Sequence, residues 1–411
     1  MSVVLQASVG DTDHSDIAVD TLRLTAGPCV TQPGAAADHS VSGCSFNDGL
    51  CGYLTQNIPT AGDQRPSSSS SDMWSRVRAG VGSLPPGHHH LQHEEDWFMS
   101  FDVRDYSHRP LDRGYLLGPQ VPVGSENICI GFWVYMSTDV ASVPYLGSLR
   151  LILIPRNITG QISREAEPIV LMSLINQQES QWFYAQTSFQ PSVPYLIVFE
   201  GTRANNNGVI ALDDVTLFRG ACSQKPDKSH VDTRDCSFEF DLCGWRSMNP
   251  GSGQAADIRP QDWRIAADRN NNINIVNDRT FNLEGRGFVY FTTINIQTKT
   301  WLRSPRIRAE EKLCLQFWFT AASRQSDAST NLIVRREFNN GTMGELLKID
   351  KIQSRWTPAM VSIDALSSES HIVIEGNSGN GGVAVDDVKV SMNTCYHHHL
   401  NVSVSRLVPG S

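Results

Sequence analysis

Cys236-Ser-Phe-Glu-Phe-Asp-Leu-Cys243-Gly244-Trp245 is the stretch on which the reading of this chain turns. It has an earlier copy, Cys44-Ser-Phe-Asn-Asp-Gly-Leu-Cys51-Gly52-Tyr53. Further along, Cys129-Ile-Gly-Phe-Trp133 returns as Cys314-Leu-Gln-Phe-Trp318. Each copy closes alike, with Ile210-Ala-Leu-Asp213-Asp214-Val215 before Cys222 and Val383-Ala-Val-Asp386-Asp387-Val388 before Cys395. The N-terminus carries only a closing part, Ile17-Ala-Val-Asp20-Thr21-Leu22 before Cys29. A fixed cysteine frame around a variable interior marks a repeated, disulfide-stapled module. The expected organisation follows: 1–29 as the end of a truncated module, 30–43 as linker, 44–222 as a full module, 223–235 as linker, 236–395 as a second full module, and 396–411 as a flexible tail. The chain reads as a piece of a tandem array.

Either full interval is long enough for a domain with its own core. The 411 residues are 40% hydrophobic and 19% charged, with a net charge of −9, which argues against a nucleic-acid partner. Oxidised cysteine pairs imply an extracellular compartment, with Cys29 left over and its partner expected upstream of Met1. No charged segment followed by a long apolar run opens the chain, so no signal peptide is read. Without a run of about 18 apolar residues, a membrane is expected only through parts absent from this chain.

Strand signals dominate. Val388, Val390 and Met392 alternate with Lys389 and Ser391, the pattern of a half-exposed strand. Cys129–Met136 is apolar on both parities and reads as a buried central strand or one covered by a loop. Leu149–Ile154, Tyr195–Glu200, Asn331–Arg335 and Ile372–Glu375 are similar short runs. The expectation is an all-β chain of tandem antiparallel β-sandwiches, stapled by disulfides.

These residues together resemble the MAM domain, a module of meprins, neuropilins and receptor tyrosine phosphatases. Cys-x-Phe-Glu is met by Glu239, while Asn47 departs from it. Asp262-Trp263 matches an Asp-Trp element that the first module writes as Met73-Trp74. Leu302-Arg-Ser-Pro305 and Leu116-Leu-Gly-Pro119 match a turn, followed by the Cys-Leu-x-Phe-Trp strand and a lone tryptophan, Trp182 or Trp356. A Glu-Gly turn (Glu200-Gly201, Glu375-Gly376) then precedes Ala-x-Asp-Asp and the last cysteine. The resemblance implies a jelly-roll-like sandwich whose usual work is adhesion, oligomerisation or ligand recognition rather than catalysis. Four cysteines allow three connectivities, and the resemblance selects Cys44–Cys51, Cys129–Cys222, Cys236–Cys243 and Cys314–Cys395.

The paired acids can hold a hard cation or accept backbone amides in a turn. Family members hold a cation near these motif positions, so Asp386 is expected to join Glu239 and Asp278 in a site for Ca²⁺ or another structural cation. Asp213 is the weaker counterpart, because Asn47 replaces the acid. No cofactor is required on this reading. Trp133, Trp182, Trp318 and Trp356 are read as core residues rather than a sugar platform, and His88–His90 with His93 as a solvated loop. Asn157, Asn340 and Asn401 are glycosylation candidates, with Asn340 placed at the tip of a hairpin. No nucleophile elbow, zinc-protease or phosphate-loop motif occurs. The partner expected is an extracellular protein, a second copy of the chain, or a glycan. The alternatives are a structural spacer, or the non-catalytic arm of a meprin-like enzyme or receptor phosphatase-like receptor.

Overall fold

The computed structural model describes residue 19 and residues 43–56, 73–79, 97–102, 110–138, 143–156, 168–204, 207–250, 262–266, 277–308, 310–323, 329–392 and 395. The stump, Cys29, the histidine loop, Asn157, Asn401 and the tail lie outside them, Val19 excepted. The chain divides into two units, Met1–Val231 and Asp232–Ser411.

In the first unit, β1 (Leu54–Gln56), β4 (Arg113–Val121), β9 (Tyr195–Arg203), β6 (Gly147–Pro155) and β7 (Ile169–Ile175) form one sheet in that order. The other runs β2 (Trp74–Arg78), β3 (Trp97–Asp102), β10 (Val209–Arg219), β5 (Ile128–Ser137) and β8 (Phe183–Phe189). The second unit repeats this topology. One sheet is β11 (Arg246–Met248), β14 (Thr298–Arg303), β19 (Ser370–Ser378), β16 (Asn331–Phe338) and β17 (Met343–Ile349). The other is β12 (Arg264–Ile265), β13 (Val289–Thr293), β20 (Gly381–Met392), β15 (Leu313–Ala321) and β18 (Thr357–Ile363). Neighbouring strands pair antiparallel. Four disulfides close Cys44–Cys51, Cys129–Cys222, Cys236–Cys243 and Cys314–Cys395. Their sequence separations of 7 and 93 in the first unit correspond to about 2.5 and about 4.5 kcal/mol of denatured-state entropy, so the long-range link matters more.

Alternation decides which side chains enter each core. Ile130, Phe132 and Val134 of β5 face the interior with Phe101, Leu116 and Phe199. Phe317 and Phe319 of β15 do the same with Phe291, Leu302 and Ile374. Trp133 and Trp318 therefore stand on the opposite face, half-buried, where Trp133 meets Tyr184 and the Arg279 guanidinium lies 4.3 Å from the Trp318 ring. Trp182 and Trp356 pack on that same outer side against Phe98 and Phe288. The reading of these four as core residues is corrected: the interior tryptophans are Trp74, Trp245 and Trp263. Met392, expected on the buried parity, is 54% exposed at the end of its strand.

The Glu-Gly pairs are not turns either. They sit inside β9 and β19, with the glutamates buried and the glycines against an aromatic ring. A Cβ on Gly376 would lie 2.2 Å from Phe291, and one on Gly201 2.7 Å from Phe101. Within the linker expected at 223–235, several residues make defined contacts. Lys225 exchanges backbone hydrogen bonds with Gln186, and Asp227–Ser229 form a 3₁₀ turn. Arg234 pairs with Asp232 and Glu311, and its carbonyl accepts the Trp245 indole N–H.

Overpacking a tight core typically costs about 1–3 kcal/mol. Gly376→Ala and Gly201→Ala should each lower the midpoint of chemical denaturation accordingly. Gly344→Ala, whose Cβ would meet Phe338 at an ordinary 3.4 Å, should change it by less than about 1 kcal/mol.

Candidate metal centre

The site grows from an irregularity in the last strand of each unit. The pairing of β5 with β10 slips between Asp213 and Thr216, and that of β15 with β20 between Gln316 and Trp318. Asp214 and Asp387 take left-handed backbone there, with φ of 45° and 48°. Aspartate tolerates that conformation better than most residues. In both units Oδ1 of the first acid accepts the amide of the second at 2.7 Å. The paired acids thus lie at a bulge in the middle of the strand, not at its start. One residue on, Val215 and Val388 exchange backbone hydrogen bonds with Cys44 and Cys236. This pins the opening disulfide loop to the last strand. It also carries residues 47 and 239 with it.

In the second unit the acids gather here. Asp386 is fully buried, and its second oxygen accepts the Arg279 amide at 2.8 Å. Asp278, 3% exposed, accepts the amides of Phe281 and Leu283, the former at 2.6 Å. The Thr280 hydroxyl donates to Asp387 at 2.8 Å. Glu239 differs from all three. It is 8% exposed, and neither carboxylate oxygen accepts a hydrogen bond of good geometry, although Thr280 lies close enough to favour the charged form slightly. Gly287 makes room for it, since a Cβ there would stand 2.4 Å from Oε2. Burial pushes the Glu239 carboxyl well above the usual carboxylate range, and the charges of Asp278, Asp386 and Asp387 push it further. Burial raises Asp278 to about 6, against the pull of its two amides. Asp386 is raised by burial and then by Asp387 and Asp278.

An ionised, unpaired carboxylate in such a place is costly unless a proton or a cation neutralises it. The oxygen donors suit a hard ion such as Ca²⁺, which takes six to eight oxygens, rather than a transition metal. Among the described residues, no three acid, histidine or cysteine side chains stand together around one point as placed. Asp278 and Asp386 are held back by their amides, and Glu239 is the acid left over. In the first unit, Asp213 is fully buried, and Asn47 stands where Glu239 does and accepts the Trp97 amide at 2.9 Å. Asn340 is exposed between β16 and β17, with its Oδ1 accepting both the amide and the hydroxyl of Thr342.

A pH dependence follows. Asp278 and Asp235 both have folded pKa values of about 6, against 3.8 as the ordinary value, chiefly through burial. The folded form therefore binds their protons more tightly than the unfolded form does. Their contribution is complete below about 4 and is lost as pH rises through 6. In chelator, lowering the pH from 7 to 5 should stabilise the second unit by about 1 kcal/mol for each group. Glu375 works in reverse at lower pH. Burial opposes its ionisation, but bonds from Asn377, Trp301 and Arg335 outweigh that and hold it below the usual range. Urea melts at pH 7, 6 and 5 in EDTA, followed by hydrogen exchange in peptides from 236–395, measure the effect.

A relative in Gallus gallus, the MAM domain-containing glycosylphosphatidylinositol anchor protein 1, is 31% identical over 192 residues, covering 44% of this chain and 18% of its own length. Thyroid hormone-induced protein B of Xenopus laevis is 23% identical over 247 residues, covering 58% of this chain and 32% of its own. The chain thus spans about a third or less of the length of these relatives. The tandem CBM22-1-CBM22-2 domain from Paenibacillus barcinonensis Xyn10C aligns over 86% of the chain and 97% of its own length, at 11% identity and a TM-score of 0.29. Disulfides and anchored relatives agree with an extracellular setting, and among the described residues no helix is long and apolar enough to cross a membrane. Residues 44–223 and 236–396 match the family described as MAM domain, meprin/A5/mu, and the chain belongs to it.

Proposed function

We propose that this chain is a non-catalytic recognition segment of an extracellular multi-MAM protein, with a second module conditioned by a hard cation. The observation that carries the cation is Glu239, buried, with no hydrogen bond of good geometry to either oxygen, and surrounded by three further acids. Glu239 would supply its two oxygens, and Asp278 and Asp386 would turn toward it at some cost to their amide bonds. A bound ion would neutralise these carboxylates, and Glu239, Asp278 and Asp386 would hold it, so its effect would be on stability rather than on a reaction.

The adhesive part of the reading is supported by membership in the family and by a relative named as an anchored protein. Its partner is an extracellular protein, a second copy of the chain, or a glycan. Ile294 (76% exposed) and Ile296 (53% exposed), in the loop between β13 and β14, are apolar groups available to a protein partner. Exposed Asn340 is the favoured glycan acceptor. Weak single contacts gain from repetition, which suits a tandem arrangement.

Two measurements test this. In EDTA the second unit should melt lower than in Ca²⁺, while the first is unchanged. Glu239→Gln should abolish the difference and, in EDTA at pH 7.5, stabilise the unit by about 1–3 kcal/mol. An EDTA-insensitive melt in the wild type removes the cation. For adhesion, beads coated with the whole chain should aggregate or bind cells more than beads carrying 236–395 alone. If neither binds, the spacer reading replaces the adhesive one.

A further inference from the structure

The two modules treat the same position in opposite ways. In β2 and β3, Arg76 pairs with Met99 two residues before Phe101, whose ring packs on Trp74 at 5.4 Å. In β12 and β13, Ile265 pairs with Val289 two residues before Phe291, whose ring packs on Trp263 at 5.0 Å. Ile265 therefore occupies the place of Arg76. By the same count, Gly287 occupies the place of Trp97. Residues 46 and 238 match independently, both being phenylalanines with left-handed backbone, φ 58° and 53°. Each lies two residues after a cysteine that pairs with the last strand.

At these matched places the first module has a fixed positive charge. Arg76 donates from Nε to the Phe46 carbonyl at 2.6 Å and from Nη2 to the Asn47 carbonyl at 2.5 Å. Its guanidinium lies 4.0 Å from the centre of the Trp97 ring, a cation–π contact. The second module has instead a buried carboxylate at Glu239 with no well-formed hydrogen bond to either oxygen, an aliphatic side chain at Ile265, and at Gly287 a position whose missing side chain leaves room for the Glu239 carboxylate. The first module thus places a cationic side chain here, and the second a buried carboxylate.

We propose that Arg76 is a tethered replacement for the metal ion. The guanidinium ties the opening loop to β2 in the first module, where in the second a hard cation at Glu239 would tie the same loop to Asp278 and Asp386. The inference rests on the cation reading of the second module. It makes the chain asymmetric, with one module permanently locked and the other locked only when the ion is present. A planar guanidinium can span two adjacent carbonyls with two N–H groups, which an ammonium cannot do in the same geometry.

The test uses the whole chain, with CaCl₂ as probe. Equilibrium dialysis gives stoichiometry, and hydrogen exchange in peptides from 44–222 and 236–395 reports each module separately. Wild type should bind one Ca²⁺, with EDTA raising exchange only in the second set. Asn47→Glu/Arg76→Ile should bind two, and EDTA should then raise exchange in both sets. A folded double variant that still binds one ion, with exchange in 44–222 indifferent to EDTA, overturns the proposal. Should the double variant not fold even in Ca²⁺, Arg76→Met and Arg76→Lys decide. Met should raise exchange around Phe46 and Asn47 by roughly tenfold or more, and Lys should restore part of the protection. Protection in Arg76→Met equal to wild type overturns the proposal. A wild type that binds no Ca²⁺ refutes the cation reading and the replacement role of Arg76 together, whereas a wild type that binds one ion beside a folded double variant that also binds one refutes the Arg76 role alone.

Discussion

The architecture of each module hangs on one constraint, a left-handed aspartate inside a central strand. A strand that carries Asp214 or Asp387 at positive φ cannot pair evenly with its neighbour, so the register slips at that point. The preceding acid, buried beside Trp133 or Trp318, accepts the irregular amide. The next valine then faces the opening cysteine and pairs with it. Through this pair the first disulfide loop becomes part of the sandwich. Its buried aromatics, Phe46 and Phe238, enter the core there. The bulge thus joins the two ends of a module of well over a hundred residues, and the charged groups around it are what a cation or its substitute has to balance.

Much of this was open to a reading of residues alone, for a definite reason. Period-two alternation and a repeated cysteine frame report directly on sheet faces and module boundaries, so the all-β sandwich was legible. The cysteine pairing was not; it came from family likeness. The tryptophans were misread because hydrophobicity outweighed parity. Phe132 and Val134 face the core, so Trp133 between them cannot, and the same holds for Trp318 between Phe317 and Phe319. The Glu-Gly pairs were read as turns on glycine's habits. Here glycine answers a different need, the close approach of Phe101 or Phe291. Residues 223–235 were read as linker on composition, yet polar residues also make ladder and ion-pair contacts such as those of Lys225 and Arg234.

The acids were legible as a group and misleading in detail. Likeness to the family suggested Glu239, Asp278 and Asp386 together as candidates, and all four acids near the bulge of the second module act on one another electrostatically. Sequence could not say that Asp278 and Asp386 accept backbone amides while no backbone amide reaches Glu239. That follows from where the loops fall, not from residue type. The contrast between Trp-x-Arg at 74–76 and Trp-x-Ile at 263–265 was visible as a difference between repeats. Its meaning depends on the carbonyls that Arg76 reaches across 30 and 29 residues of sequence.

The account stands or falls on how the charge at Glu239 is balanced. Anomalous diffraction from crystals of this chain grown with Ca²⁺ and then exchanged into Mn²⁺ would settle it most directly. The account predicts one anomalous peak, within about 2.5 Å of a Glu239 oxygen and near Asp278 and Asp386, with only the Arg76 guanidinium at the matching place in the first module. A protonated Glu239 bonded to a neighbouring acid without a metal peak would contradict it, as would a metal peak in both modules.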